Sequence, residues 1–216
     1  MQTVLCYGDS NTWGHTPGTK QRYPLSVRWT GIAADLLGPE YRVIEEGLNG
    51  RTTVFDDPYK EYLNGKTHLS VALITHRPLN WVVLALGTND LKFTNAYGSA
   101  KGAQVLVRMI RDANIVFRGT APVFFDPPKI LLVAPPLVGE QFGAVPERTE
   151  LKYGHEESKH FAREYLEIAQ TEGVYYLDAS LYAPPSPTDG IHLDPPAHAA
   201  LGEAIARFIL KTDAKS

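Results

Sequence analysis

Ser10 stands where a serine hydroxyl can act as a nucleophile. The run Tyr7-Gly8-Asp9-Ser10 closes a short apolar segment, residues 3–7, that is typical of a β-strand. A hydroxyl directly after a strand of a parallel sheet lies at the carboxyl edge, where such sheets bind their ligands. The alternative is that Asp9 and Ser10 only cap the next turn or helix, and Gly-Asp-Ser alone does not decide between the two.

Asp189-Gly190-Ile191-His192 supplies the two groups that a nucleophilic serine requires. A histidine takes the hydroxyl proton, and an acid fixes the tautomer of the imidazole. This is the only Asp-x-x-His in the chain, and it follows the last predicted strand, residues 174–178. A turn through Gly190 lets Asp189 meet Nδ1 of His192 while Nε2 faces Ser10. The alternative is a surface turn with one exposed histidine.

Donors for the oxyanion of a tetrahedral intermediate are predicted after two further strands. Asn89 follows residues 81–86 and can donate its side-chain amide, while Gly50 follows residues 41–45 and can bring its N–H close because it has no Cβ. The Ser10 N–H is the third candidate donor. Asn89 and Gly50 are each equally typical of turns, so neither residue alone indicates an oxyanion site. The indication of such a site is that the four candidate residues follow four different strands: Ser10, Gly50, Asn89 and His192.

Five side chains flank these motifs and are candidate substrate-binding residues. They are Asn11, Trp13, Thr88, Lys92 and Ile191. Trp13, Lys92 and Ile191 could line the acyl or alcohol pocket, although packing in the core or at the surface is favoured for these three.

Several other site types lack support in the sequence. Gly65-Lys66-Thr67 ends like a phosphate-binding loop, but position 60 holds lysine where that motif needs glycine. His155 and His160 are five residues apart, which does not match the zinc-binding pair of a metalloprotease helix. The single cysteine, Cys6, cannot form an internal disulfide or by itself a structural zinc site, and Gly-x-Ser-x-Gly is absent. No metal or cofactor is implied.

Strand-like and helix-like segments alternate along the chain. Strands are predicted over residues 3–7, 41–45, 81–86, 129–134 and 174–178. Helices are predicted over residues 27–37, 66–76, 100–117, 156–171 and 197–210, the last after a stop at Pro195-Pro196. This order predicts an α/β fold in which a parallel sheet of about five strands carries helices on both faces.

Three long loops interrupt the alternation. They cover residues 13–26, 48–64 and 119–154, and the last contains only the strand at 129–134. We therefore expect one domain over residues 1–216 with insertions at about 119–128 and 135–154. Four aromatic residues near these loops are predicted to form a subunit interface or the wall of a narrow channel: Phe117, Phe124, Phe125 and Phe142.

Charge and hydropathy exclude two classes of partner. The 216 residues carry a net charge of -3 and no basic run, which argues against nucleic acid. The longest apolar stretches, residues 81–86 and 130–134, are far shorter than the roughly 20 residues that cross a bilayer, so no membrane anchor is expected. A strand-like run follows Met1 almost at once and leaves no room for a signal peptide, which predicts a cytoplasmic protein.

The four motifs together resemble those of the SGNH hydrolases, also called GDSL esterases and lipases. Ser10, Gly50, Asn89 and His192 stand in family order, and the resemblance extends from residue 3 to about residue 210. It implies a flavodoxin-like three-layer αβα sandwich with strand order 2-1-3-4-5. It also implies that Ser10 is the nucleophile, Gly50 and Asn89 are oxyanion donors, Asp189 is the orienting acid and His192 is the base.

Longer runs resemble the bacterial arylesterase branch, which is noted for acyl transfer and perhydrolysis in water. They include Val27-Arg28-Trp29-Thr30-Gly31 and the segments 45–53, 86–92 and 189–192. The resemblance implies a homo-oligomer with a restricted active-site channel and an alcohol or peroxide as a further acyl acceptor. Asn11 departs from the family pattern, which has leucine after Gly-Asp-Ser.

The sequence therefore predicts a serine esterase that hydrolyses short-chain aryl or alkyl esters, its small-molecule partners, through an acyl-enzyme. Carbohydrate deacetylase, thioesterase and lysophospholipase activities would use the same residues and stay open. Two interpretations without catalysis also stay open: a flavodoxin-like binding module and a structural subunit.

Overall fold

Five parallel strands form the central sheet of the structure, a computed structural model that describes residues 1–117, 119, 121–140, 151 and 154–215. The strands are β1 (Gln2–Gly8), β2 (Tyr41–Gly47), β3 (Leu79–Ala85), β4 (Phe124–Ala134) and β5 (Tyr175–Asp178). Their order across the sheet is β2-β1-β3-β4-β5, and every neighbouring pair is parallel. The predicted α/β class and strand order are confirmed.

Helices cover both faces of the sheet. The α-helices are α1 (Ser10–Trp13), α2 (Trp29–Leu37), α3 (Gly65–Thr75), α4 (Ala96–Arg111), α5 (Ala113–Val116), α6 (Gly154–Ser158), α7 (Phe161–Glu172) and α8 (Pro195–Asp213). Short 3-10 helices span Thr88–Lys92 and Ala179–Leu181. Helices α3, α4 and α7 pack on one face, and α2 and α8 pack on the other. This is the three-layer arrangement expected from the resemblance.

Residues 4–7 of β1 and 81–85 of β3 are all apolar, because each face of these two strands meets a separate core. Leu5 of β1 packs with α3, α4 and α7, whereas its neighbours Val4 and Cys6 pack with α2 and α8. Cys6 is fully buried, and burial raises the pKa of its thiol well above the usual range. The side chain therefore packs as an unreactive apolar group.

Several element boundaries differ from the sequence-based predictions. The predicted helix over residues 100–117 is divided at Asp112 into α4 and α5, and the predicted helix over residues 156–171 is divided at residues 159–160 into α6 and α7. Pro195 and Pro196 form the first turn of α8 rather than a stop before it, because the first helical N–H groups have no partner inside the helix and proline loses nothing there. Strand β4 begins at Phe124 instead of residue 129, so the predicted insertion at 119–128 is shorter. The Asn114 side chain fixes this early start by accepting hydrogen bonds from the N–H groups of Val123 and Phe124 and donating to the Phe124 carbonyl.

The four predicted interface aromatics do not share one environment. Phe124 is buried in the core, Phe117 packs partly against it, and Phe125 is exposed. Phe124 was therefore wrongly placed at a surface, because it begins a strand and not a loop. Phe142 and most of the predicted insertion at 135–154 lie outside the described residues.

None of the helices within the described ranges is long and apolar enough to cross a membrane.

Candidate active site

Ser10 lies at the carboxyl edge of the sheet as the first residue of α1. Asp9 caps this short helix by accepting a hydrogen bond of 3.0 Å from the Asn11 N–H. The Ser10 side chain faces a cleft, although the residue is only 8% exposed. Asp9 thus has the structural role of a helix cap.

A chain of hydrogen bonds links Ser10 to His192 and Asp189. The Ser10 Oγ lies 3.1 Å from Nε2 of His192, and Nδ1 of His192 lies 2.7 Å from Oδ2 of Asp189. Gly190, with φ +72°, makes the turn that folds the aspartate back on the imidazole. In this arrangement the imidazole can remove the hydroxyl proton while the carboxylate holds its tautomer.

The carboxylate of Asp189 is buried and accepts further hydrogen bonds. Its Oδ1 accepts from the N–H groups of Ile191 and His192 at 3.1 and 3.0 Å, and its Oδ2 accepts from the Gly18 N–H at 3.2 Å. Burial alone would raise the pKa of Asp189, but the hydrogen bonds and charge of His192 outweigh it and hold the pKa well below its usual range. Asp189 is therefore ionised at neutral pH.

The predicted oxyanion donors line the same cleft as the serine. Gly50 adopts φ +83°, a conformation that favours glycine. The Asn89 side chain also lines the cleft, and its Nδ2 donates to the Arg51 carbonyl at 3.2 Å, which fixes its orientation. The structure thus brings Ser10, Gly50, Asn89 and His192 together around one space.

Arg51 supports the backbone beside Gly50 and Asn89, and the sequence analysis did not single it out. Its guanidinium donates to the carbonyls of Gly8 and Glu46 and lies over the Tyr7 ring, 4.1 Å from the centroid. It thereby connects the ends of β1 and β2. An arginine one residue after Gly50 was the only available signal, and its role depends on contacts that spacing alone does not reveal.

Asp90 connects the Asn89 segment to the loop after β2. Its carboxylate accepts from the Thr53 N–H at 2.8 Å and from the Thr53 Oγ1 at 2.5 Å. Burial raises the pKa of Asp90 to about 7, and burial also raises the pKa of Asp9 to about 6. Two acids that resist ionisation therefore lie behind the candidate site.

The cleft over Ser10 and His192 has a volume of about 370 Å³. Besides Ser10, Gly50, Asn89 and His192, its lining residues are His15, Thr19, Lys20, Asn49, Lys92, Leu151 and Ile191. Two of the five predicted substrate-binding residues, Lys92 and Ile191, are in this set.

The other three predicted substrate-binding residues have different surroundings. Asn11 and Thr88 line a separate cavity of about 20 Å³ beneath the site. Trp13 packs beside His15 and under the guanidinium of Arg22. Their sequence positions beside the motifs were informative about location but not about the direction of the side chains.

His15 is a cleft residue that sequence reasoning missed. Its ring stacks on that of His192 with the centroids 4.0 Å apart, and its N–H donates to the Ser10 carbonyl at 3.0 Å. Helix α1 ends at Trp13, and the left-handed Gly14 that follows it directs the chain so that the His15 N–H reaches the Ser10 carbonyl. A polar aromatic residue just beyond that glycine was the available signal.

Within the described ranges, no cluster of three or more His, Cys, Asp or Glu side chains could hold a metal ion.

Comparisons with known proteins show similarity to one hydrolase family and to solved esterase structures. The model of the GDSL-like lipase/acylhydrolase family matches residues 6–200. The structure of an aryl esterase from M. smegmatis is 34% identical, with 98% of this chain and 99% of that chain covered and a TM-score of 0.89. A carbohydrate acetylesterase from Sinorhizobium meliloti is 36% identical, with 98% and 100% of the two chains covered and a TM-score of 0.89. A comparison with curated proteins gave no match.

Proposed function

The chain belongs to the GDSL-like lipase/acylhydrolase family, and on that premise we propose that it is a carboxylic ester hydrolase that uses Ser10, His192 and Asp189. The observation that carries the proposal is the hydrogen-bonded chain in which Ser10 Oγ lies 3.1 Å from His192 and His192 lies 2.7 Å from Asp189. The aryl esterase and carbohydrate acetylesterase neighbours support the same reaction class.

The proposed reaction begins with attack by Ser10 on the ester carbonyl. His192 Nε2 accepts the hydroxyl proton as the bond from Ser10 Oγ to carbon forms, and the ionised Asp189 stabilises the resulting imidazolium. The oxyanion accepts hydrogen bonds from the N–H groups of Ser10 and Gly50 and from the Asn89 amide. The alcohol leaves with the proton from His192, and water then hydrolyses the acyl-enzyme by the same steps in reverse.

Short acyl groups are the proposed substrates. A cleft of about 370 Å³ is at the small end of ligand pockets, about 300–1,000 Å³, and leaves little room for a long chain. Acetyl esters of phenols or sugars fit this size, and the sugar alternative is favoured by the resemblance to a carbohydrate acetylesterase. Thioesters and lysolipids are further alternatives, and a panel of acetylated sugars, acyl-CoA and lysolipids separates these classes.

Acyl transfer to an alcohol or a peroxide is proposed as a second outcome of the same acyl-enzyme. His192 would activate the alcohol as it activates water, so the product would be a new ester. Adding an alcohol to the hydrolysis assay tests this directly. An ester product supports transfer, and the acid alone as product contradicts it.

The decisive experiment compares hydrolysis of p-nitrophenyl acetate, butyrate and octanoate by the wild type and by variants. Ser10→Ala removes the nucleophile and is expected to lower kcat by about 10⁴- to 10⁶-fold. Asn89→Ala removes one oxyanion donor and is expected to lower kcat by about 10²- to 10³-fold.

Ser26→Ala is the matched control, because Ser26 is an exposed serine in the segment before α2. We expect it to keep the wild-type rate. A Ser10→Ala variant that also keeps its rate would contradict the mechanism. Fluorophosphonate labelling of Ser10 provides an independent check, because only an activated serine reacts; no labelling would favour a binding module.

A further inference from the structure

Two lysines line the cleft that contains the proposed nucleophile. Lys92 is the last residue of the 3-10 helix Thr88–Lys92, three positions after Asn89. Lys20 reaches the cleft from the segment between α1 and α2. Both side chains therefore border the space that an ester bound at Ser10 would occupy.

The backbone that carries each lysine is anchored. The Gly18 N–H donates to Asp189 at 3.2 Å, and the Thr16 N–H donates to the Gln21 carbonyl at 3.0 Å, so the turn that holds Lys20 is tied to the candidate site. On the other side, Asp90 binds Thr53 and fixes the 3-10 helix that ends at Lys92. The backbone positions from which the exposed Lys20 and the half-buried Lys92 reach the cleft are thus fixed.

No described acidic residue lines the cleft to offset these charges. Within the described ranges, neither Lys20 nor Lys92 forms an ion pair, whereas Lys129 is paired with Asp213. The carboxylate of Asp189 is buried and bonded to His192 and backbone N–H groups. The described wall of the cleft therefore presents net positive charge.

We propose that the cleft selects esters that carry a negatively charged group, such as a carboxylate, close to the scissile bond. This rests on the esterase function proposed above and specifies its substrate class. A cleft with walls of low dielectric focuses the field of its charges and attracts substrates of opposite sign. An acetylated hydroxy acid has this chemistry in its alcohol part, and a dicarboxylic monoester has it in its acyl part.

Two matched substrate pairs test the proposal and distinguish these sources of charge. The first pair is 4-acetoxybenzoate and the neutral 4-acetoxybenzamide. The second is the p-nitrophenyl monoester of adipic acid and the corresponding neutral monoamide ester. We expect kcat/KM to be higher for the acid than for the amide by on the order of tenfold in at least one pair. The pair that shows this difference tells whether the negative charge is recognised in the alcohol part or in the acyl part of the ester.

Lys20→Met and Lys92→Met are each expected to lower this acid-to-amide ratio severalfold, and together to bring it close to one. Lys92→Arg keeps the charge and is expected to retain most of the ratio. Lys66→Met is the control, because Lys66 is an exposed lysine of α3 that does not line the cleft. It changes the net charge equally and is expected to leave the ratio unchanged.

Ionic strength provides a readout that misfolding would not mimic. The wild-type ratio is expected to fall as salt rises from about 0.01 M to about 1 M, over which the Debye length shrinks from about 30 Å to about 3 Å. A wild-type ratio near one for both pairs would overturn the proposal. A high ratio that survives in the double lysine variant would overturn it too, because the charge would then be sensed elsewhere.

Binding separates failure of this proposal from failure of the esterase function. Ser10→Ala is titrated with 4-acetoxybenzoate and 4-acetoxybenzamide by NMR, with and without Lys92→Met. Tighter binding of the acid that is lost with Lys92→Met supports charge selection even if the wild type hydrolyses no ester, a result that would contradict only the proposed function. Equal binding of acid and amide, with hydrolysis intact, would contradict only the charge selection.

Discussion

Asn11, the residue directly after Ser10, holds the segment that carries His192. Its Nδ2 donates to the Ile191 carbonyl and its Oδ1 accepts from the Leu193 N–H, both at 3.2 Å. These two bonds bracket His192 on either side. A leucine, which the family pattern has at this position, could make neither bond. We therefore propose that this polar residue positions His192 and does not contact the substrate.

Replacing Asn11 with alanine is expected to lower kcat by about 10²-fold with little change in KM, because a small displacement of the base disrupts proton transfer more than it disrupts ester binding. Steady-state kinetics on p-nitrophenyl acetate measure the split. Asn11→Asp keeps the acceptor for Leu193 and should recover part of the loss. Thermal unfolding confirms that the variants are folded, and a wild-type kcat for Asn11→Ala would contradict the positioning role.

At the residue scale, the sequence predicted the groups whose chemistry is demanding. A nucleophile, a base and an acid at strand ends permit few arrangements, so Ser10, His192 and Asp189 could be named before the structure was known. His15 and Lys20 could not, because they lie in a segment whose path depends on tertiary contacts such as the bond from the Gly18 N–H to Asp189. Local spacing contains no information about that contact.

Helices α2 and α8 are joined through His198, a fully buried residue of α8. The Trp29 N–H at the start of α2 donates to Nδ1 of His198 at 3.3 Å, and Arg28, the preceding residue, provides no side-chain cap. Burial, together with the nearby positive charges of His192 and Arg28, lowers the pKa of His198 to about 4. The neutral imidazole thus caps α2 from another element.

His198→Leu is expected to lower the free energy of unfolding at neutral pH by about 1–3 kcal/mol, because the Trp29 N–H loses its acceptor. His198→Asn keeps an acceptor oxygen and is expected to lose less. Urea denaturation at neutral pH measures both variants. Equal stabilities for His198→Leu and the wild type would show that the bond to Trp29 contributes nothing.

The same variant has a predicted pH dependence. The pKa of His198 is lower in the folded state than in the unfolded chain. Between pH of about 6.5 and about 4 the unfolded chain therefore binds a proton that the folded protein does not, and the wild type loses stability as the pH falls through this interval. His198→Leu has no such titration, and its deficit relative to the wild type should shrink on acidification. A constant deficit between these two pH values would contradict the lowered pKa.

Most elements were predictable because the strands that are buried on both faces contain continuous apolar runs. The start of β4 was missed because Asp126, Pro127 and Pro128 have the composition of a loop, and the register shift that accommodates them arises from pairing with β3. The start of α8 was missed because a Pro-Pro pair fits the start of a helix as well as its end. In both cases the local sequence fits two structures equally well, and tertiary contacts determine which of the two forms.

At the scale of the whole molecule, the homo-oligomer expected from the family resemblance stays a prediction. The surface of the single chain exposes several large apolar side chains, among them Tyr59, Ile115, Val116 and Phe125. Static light scattering measures the mass directly. A monomer would remove the expectation of a channel restricted by neighbouring subunits, and the open cleft would then be the complete route to Ser10.

Two buried carboxyl groups next to the candidate site, those of Asp90 and Asp9, help to position the site but lower the stability of the fold when they ionise. Asp90 fixes the Asn89 segment through Thr53, but burial raises its pKa to about 7, and Asp9 shares the effect with a pKa raised to about 6. A carboxyl group whose pKa is higher in the folded state contributes stability at low pH that is lost as pH rises through the folded pKa. The site is therefore held in place by groups that destabilise the fold as they ionise.

Asp90→Asn should relieve this cost, because an asparagine can accept from the Thr53 N–H and donate to the Thr53 Oγ1 without ionising. Between pH of about 4 and about 7, the free energy of unfolding of the variant should rise relative to the wild type by on the order of 1–3 kcal/mol. Urea denaturation across this range measures the difference, and Asp35→Asn, at an exposed position on α2, is the control. A difference that does not change with pH would mean that Asp90 stays ionised throughout, and the burial of its carboxylate would then be offset by the two bonds from Thr53.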